Sequence, residues 1–233
     1  MRTDARRARP FRRASAASSA AAVVSLCVLS FASGGCAIVG FAAYVAENAR
    51  RTGSTTYPAE YDGLEGKSYA VIVEADRAIQ SEHAGTVERI TSVANRMIHD
   101  NAGAANYIPT ERVLRYTFEH PAWRALSRGE LASRLGVERL IVIELHEYQH
   151  HAPGNPYVWD GLAEADVLVY ESDSGIPDSP AFQRAVRVTF PDQSQMLRES
   201  APETLVATEL TNRVARRAAW MFYEHDEPNS IEY

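Results

Sequence analysis

His146-Glu147-Tyr148-Gln149-His150 has the letters of a zinc-hydrolase site. On a helix, residues i and i+4 share a face, so both imidazoles reach one zinc at ~2.0–2.1 Å while the glutamate activates a water. A further histidine, His151, follows at once. The surrounding sequence argues against that geometry. The five letters continue Leu140-Ile-Val-Ile-Glu-Leu145, a β-branched run that reads as a strand. In a strand, i to i+4 spans ~13 Å at ~3.3 Å per residue, too far for one ion. Pro153 and Pro156 leave little room for a helix afterwards, and position 153 holds Pro where one metal-peptidase class has Gly. We therefore expect His146, His150 and His151 to form a polar strand end and loop. Metal capture by the three histidines and a zinc-dependent hydrolase using His146, Glu147 and His150 are the alternatives.

The second chemical candidate is Cys36. It stands after Ser33-Gly34-Gly35, behind a basic segment from Met1 to Arg13 and an uncharged stretch whose most apolar part is Ala20–Phe31. A positive flank, an apolar core and small residues before a cut make up the anatomy of an export signal. The cut site resembles a lipobox, in which a thiol at the first mature position receives a diacylglycerol thioether. Gly34, Gly35 and Cys36 meet that requirement, and Ser33 departs from the usual Leu. Residues 1–35 are thus expected to be a signal peptide, 36–60 a lipid-anchored tether and 61–233 one globular domain. Ala37 in place of Asp after the cysteine implies sorting to an outer membrane facing the periplasm. An uncleaved inner-membrane single pass is the alternative, since ~20 apolar residues suffice to span and the arginines would keep the N-terminus cytoplasmic. An ordinary signal peptide cut elsewhere is the third.

Charge narrows the partners. Residues 1–35 hold six arginines and one aspartate, a balance of +5, so the whole-chain charge of −6 leaves −11 from Cys36 onward. Phosphate contact needs clustered Lys and Arg, so no nucleic acid is expected as partner. The expected partners are the membrane, through lipid on Cys36, and another envelope protein. Both cysteines, Cys27 and Cys36, precede the globular region, which excludes a disulfide framework and a cysteine-based zinc site there. The chain contains no G-x-S-x-G elbow, P-loop or G-x-G-x-x-G, and no cofactor is expected. Asp160, Glu164, Asp166, Glu171, Asp173 and Asp178 crowd one region, and read as solvated loops or as a surface for a cation or basic partner. Trp123, Trp159 and Trp220 read as packing residues.

The elements that must position these groups follow from periodicity. Ser68–Ala75 reads as a buried first strand. Val87, Ile90, Val93, Ala94, Met97 and Ile98 predict a helix from about His83 to His99. Tyr107-Ile108-Pro109 should be extended, with Thr110 capping a helix from Glu111 to about Phe118. Ser127 should cap a helix ending at Gly136. Val137–Tyr148, Trp159–Glu171 and Gln183–Phe190 read as strands, the first two antiparallel neighbours. Pro202–Tyr223 reads as a closing helix. This order predicts an α/β or α+β domain with one mixed β-sheet flanked by helices.

The run of first strand, long helix, Leu131-Ala-Ser-Arg-Leu-Gly-Val-Glu-Arg-Leu-Ile-Val and hairpin resembles the amino-terminal domain of TolB. The related domains of the curli-secretion lipoprotein and of the lipoprotein activators of penicillin-binding proteins share that pattern. The likeness spans about 68–190. Tyr61-Asp-Gly-Leu-Glu-Gly-Lys, Arg134-Leu-Gly-Val-Glu-Arg-Leu, Pro153-Gly-Asn-Pro-Tyr-Val-Trp and Arg187-Val-Thr-Phe-Pro are similar to a planctomycete envelope lipoprotein family over nearly all of 57–233. Neither resemblance implies an activity or supplies catalytic residues. With the expected anchor and the lack of a catalytic constellation, the resemblance to envelope interaction domains leads us to expect a binding domain rather than an enzyme.

Overall fold

The structure, a computed structural model, describes residues 53–192 and 196–229. Cys27, Ser33, Gly34, Gly35, Cys36 and Ala37, with the expected signal peptide and most of the tether, lie outside the described residues. The strands are β1 (Ser54–Tyr57), β2 (Ser68–Ala75), β3 (Asn106–Tyr107), β4 (Arg139–Gln149), β5 (Val158–Trp159), β6 (Gly161–Glu171), β7 (Pro180–Phe190), β8 (Met196–Leu197) and β9 (His225–Pro228). The helices are α1 (Arg77–Glu82), α2 (Thr86–Asn101), α3 (Thr110–Glu119), α4 (Arg128–Leu135) and α5 (Glu203–Trp220). Short 3-10 turns occupy Pro121–Ala125 and Arg198–Ser200.

One five-stranded mixed sheet, in the order β3-β2-β4-β6-β7, carries the fold. β2 runs parallel to β3 and β4, while β4, β6 and β7 form an antiparallel meander. Side chains alternate across the pleat, so each strand feeds two cores. Tyr69, Val71, Val73, Ile141, Ile143, Val167 and Val169 face α2 and α5, where Ile90, Ala94, Ile98, Leu210 and Val214 meet them. Ala70, Ile72, Leu140, Val142, Leu168 and Tyr170 face the other way, onto Val113, Trp123, Leu131 and Leu135. The continuous apolar run of β4 follows from this: a strand buried on both faces has no position for a polar alternate. β7, at the sheet edge, shows the clean alternation instead, with Val186 and Val188 buried and Ala185, Arg187 and Thr189 exposed. The expected mixed sheet flanked by helices is what the chain builds.

The sequence-level elements differ from this in several places. The strand expected over Trp159–Glu171 breaks at Asp160, with Val158–Trp159 pairing instead with Met196–Leu197. Arg77–Glu82 is a separate helix, capped by Asp76, whose Oδ1 accepts from the Ile79 amide at 2.8 Å. It is short and mostly polar, and buries only Ile79, so it lacks a helical apolar period. Thr110 lies inside the first turn of α3 rather than capping it, with Pro109 at the cap position. The threonine side chain turns inward because Asn95 of α2 takes it, Nδ2 lying 3.3 Å from Oγ1 and 3.0 Å from the Ile108 carbonyl. Ser54–Tyr57, within the stretch read as tether, pairs antiparallel with β9. By contrast, Ser127 and Gly136 bound α4 as expected. Ser127 accepts from the Glu130 amide, and Gly136 adopts φ 72° to release the chain into β4.

Gly161 fixes how closely α5 approaches the sheet. A Cβ there would lie 2.7 Å from Leu210 Cδ1 and 2.9 Å from the Phe190 carbonyl oxygen. The first contact could shift, but the second is backbone of the paired strand. Gly161→Ala is expected to destabilise the domain by about 1–3 kcal/mol through overpacking. Gly175→Ala, at a glycine with no heavy atom within 4 Å, should change stability by less than about 0.5 kcal/mol. Denaturant unfolding of the two variants checks the contrast.

Candidate functional site

The zinc-hydrolase letters lie on β4, and a register shift between Leu145 and Glu147 separates their histidines. Directly paired residues share a face. Before the shift Glu144 pairs with Asp166, on the side of Leu140 and Val142. After it Tyr148 pairs with Ala163, on the side of α2 and α5. His146, at the bulge, stays with the first set. It is half exposed, and its Nε2 lies 3.1 Å from Asp166 Oδ2. His150 belongs to the second set, buried against α5. The bulge thus sends the two histidines to opposite faces of the sheet. His151, on the following loop, contacts its neighbour's carbonyl at 3.1 Å and packs near Trp159. Among the described residues no group of three or more His, Cys, Asp or Glu is arranged to hold a metal ion.

What His150 joins instead has no signal in the sequence. Its Nδ1 donates to Glu203 Oε1 at 2.7 Å, at the first turn of α5. Its ring lies 4.4 Å from that of His83, the C-cap of α1, and 5.5 Å from that of Tyr148. His83 also packs edge-on to Tyr148 at 4.9 Å. Tyr148 Oη contacts the Ala207 carbonyl and Thr211 Oγ1, both at 2.9 Å. The cluster therefore ties α1, the end of β4 and α5 together, and leaves His150 Nε2 buried without a hydrogen-bond partner among the described residues. Burial, and then the nearby His150, push the His83 imidazole below its ordinary range. The hydrogen bond from His150 pulls the Glu203 carboxyl down. No spacing rule links positions 83, 150 and 203, which is why the sequence alone does not reveal them.

The six acidic residues do not form one surface. Glu164 pairs with Arg187 at 2.5 Å, Asp166 takes His146, and Asp178 accepts from the Gly129 amide at the start of α4 at 2.8 Å. Asp160 is exposed. Glu171 and Asp173 belong to a partly exposed network around a buried arginine at the other end of the sheet. There the Arg139 side chain, 8% exposed, bonds the Gly63 carbonyl at 3.0 Å and Asp173 Oδ1 at 2.5 Å. It also lies 3.6 Å from Glu171. Tyr61 Oη donates to Glu171 at 2.8 Å, and Lys67 reaches both Glu138 and Asp173 at 2.9 Å. Hydrogen bonds from Lys67 and then Arg139 hold the Asp173 carboxyl down at about 2. Trp123 is a core residue, Trp159 donates to the Ala201 carbonyl, and Trp220 stacks on His225. All three are packing residues, as read.

No family model matches the chain, and no curated protein does. The planctomycete likeness therefore rests on the quoted motifs alone. Solved structures do align with it at low identity. Protein XCC0632 of Xanthomonas campestris is 10% identical at a TM-score of 0.45, covering 73% of this chain and 90% of that one. Lipoprotein GNA1162 of Neisseria meningitidis is 11% identical at 0.42, covering 65% and 97%. PelC of Paraburkholderia phytofirmans, a dodecamer in its crystals, is 10% identical at 0.40, covering 77% and 99%.

Two predictions separate the histidines. His150→Ala is expected to cost about 1–3 kcal/mol of stability, by opening a cavity beside α5 and removing the ring contacts to His83 and Tyr148. His146→Ala should stay within about 0.5 kcal/mol. Unfolding with and without zinc checks this, because a shared ion would make the two losses equal when zinc is present. The second prediction concerns pH. A histidine held below its ordinary value stabilises the fold while neutral. The contribution of His83 is therefore full above 6.5 and drains as pH falls from 6.5 toward the lowered value. His83→Gln should flatten the fall in unfolding temperature between about pH 7.5 and pH 5.5.

Proposed function

We propose that the chain is a bacterial cell-envelope lipoprotein, held to a membrane by lipid on Cys36, whose folded domain works by binding another envelope protein. The N-terminal pattern carries this reading: six arginines, the apolar Ala20–Phe31, and Gly34-Gly35 directly before Cys36. Cleavage there leaves Cys36 as the mature chain's one cysteine, with its thiol free for a thioether. Ala37 after it favours the outer membrane, with the domain in the periplasm. Among the described residues no helix is long and apolar enough to cross a membrane. A non-catalytic role is supported by where the residues with hydrolytic letters sit. His146 and His150 are on opposite sheet faces, and each is engaged by its own carboxylate.

Intact-mass measurement on membrane fractions tests the anchor. The expected product begins at Cys36 and carries acyl mass, and Cys36→Ser abolishes incorporation of a clickable palmitate. An unmodified chain that retains residues 1–35 overturns the lipoprotein reading in favour of a single-pass anchor. A soluble chain cut elsewhere overturns both. Crosslinking of the membrane-held form tests the binding role, the expected result being one protein captured in stoichiometric yield.

A further inference from the structure

A groove of about 500 Å³ opens beside the carboxyl end of β2, between α2 and α3 and under the 3-10 turn at Pro121–Ala125. That volume falls among small-ligand pockets, roughly 300–1,000 Å³. In sheets with parallel strands, the carboxyl ends are where ligands settle. Its floor reaches Ile72 and Val73, and its walls are apolar, with Val87 from α2, Val113 and Phe118 from α3, and Trp123 from the turn. Phe118 stands at the rim with 87% of its surface exposed, the most of any large apolar side chain among the described residues.

The charged groups of the groove are of one sign. Arg77 and Arg124 line it and no acidic residue does, while the far side of Arg124 borders a second cleft lined by Glu74, Asp76 and Glu144. Neither arginine has a carboxylate partner among the described residues, as is also the case for Arg89, Arg96, Arg112, Arg115 and Arg198; what sets these two apart is that both line the groove. In a domain as acidic as this one, an arginine left without a carboxylate is a cation available to an outside anion. Arg124 is also held in place. Its Nη2 donates to the Ala75 carbonyl at 2.9 Å, which Gln80 shares at 2.6 Å, and its guanidinium lies 5.3 Å from the centre of the Trp123 ring. A guanidinium fixed by one of its donors keeps the others for a carboxylate.

We propose that this groove binds a long-chain carboxylate, its acyl chain against Val87, Val113, Phe118 and Trp123 and its head between Arg77 and Arg124. Apolar walls hold the chain, and the paired cations fix its orientation. The site uses none of the residues assigned to the anchor, so it stands or falls apart from the lipid on Cys36.

The test uses the full chain in its membrane with a diazirine-bearing stearate as photoprobe, the adducts being mapped by peptide mass spectrometry. Adducts are expected on 72–91 and 113–124. Oleate should displace the probe, whereas oleyl alcohol, which lacks the anion, and octanoate, which lacks the chain, should not. Arg77→Glu changes an exposed residue and is expected to cut labelling about tenfold or more. Thr117→Trp, which fills the groove, should suppress it as far, with both variants keeping the wild-type circular dichroism spectrum. Adducts only outside these segments, labelling indifferent to both variants, or equal displacement by oleyl alcohol each overturn the proposal.

Discussion

The fold depends on one buried cation. Arg139 begins the central strand β4, and its side chain is almost wholly withdrawn from water. A guanidinium in that position costs several kcal/mol unless its donors are met. They are met by parts of the chain that would otherwise have no reason to converge: the Gly63 carbonyl, Asp173 beyond β6, and Glu171 at its end. Meeting them draws in further partners. Lys67 bridges Asp173 and Glu138, and Glu138 accepts from the Ser68 amide at the first residue of β2 at 3.0 Å. The parallel register that places Tyr69 opposite Arg139 is thereby set, at one end of the sheet, by charge as well as by apolar packing.

The opposite end is held by aromatic and imidazole rings. His83, Tyr148 and His150 close α1, β4 and α5 against one another, with Glu203 as the outer partner. The two ends differ in their response to acid. The Arg139 network includes Asp173 and Glu138, whose carboxyls are held below their ordinary range by hydrogen bonds from Lys67. The ring cluster includes His83, a half-buried imidazole that desolvation holds below its ordinary range. Mild acid therefore loosens the end where α5 begins, while the end where β2 and β4 begin stays closed.

Legibility in the sequence follows burial. β4 and β2 are readable because strands covered on both faces must be apolar throughout, and β7 because an edge strand must alternate. Ser127 and Gly136 are readable because capping chemistry is local. α1 is not, since a helix that buries only Ile79 has no stripe to detect. The ribbon of β1 and β9 is not, since it joins polar segments about 170 residues apart. Of the site candidates, the strand placement of His146 and His150 is readable from Leu140–Leu145, and the acidic residues are visible as a group. Their partners are not, because Glu203, Arg187 and Arg139 come from distant positions that only the sheet brings near. Cys36 remains a reading of the sequence, outside the described residues.

The bulge at His146 has a consequence for reading relatives of this chain. Up to Leu145 the odd-numbered positions of β4 face α2 and α5. From Tyr148 onward the even-numbered positions do. One inserted residue has inverted the parity of the strand's two-letter code midway along it. A related chain of the same length that runs through this point without a bulge must carry the opposite polar and apolar assignment to the end of the strand, or turn its tyrosine and histidine to the other face of the sheet. Comparison position by position would then score the most structurally constrained part of the strand as unrelated.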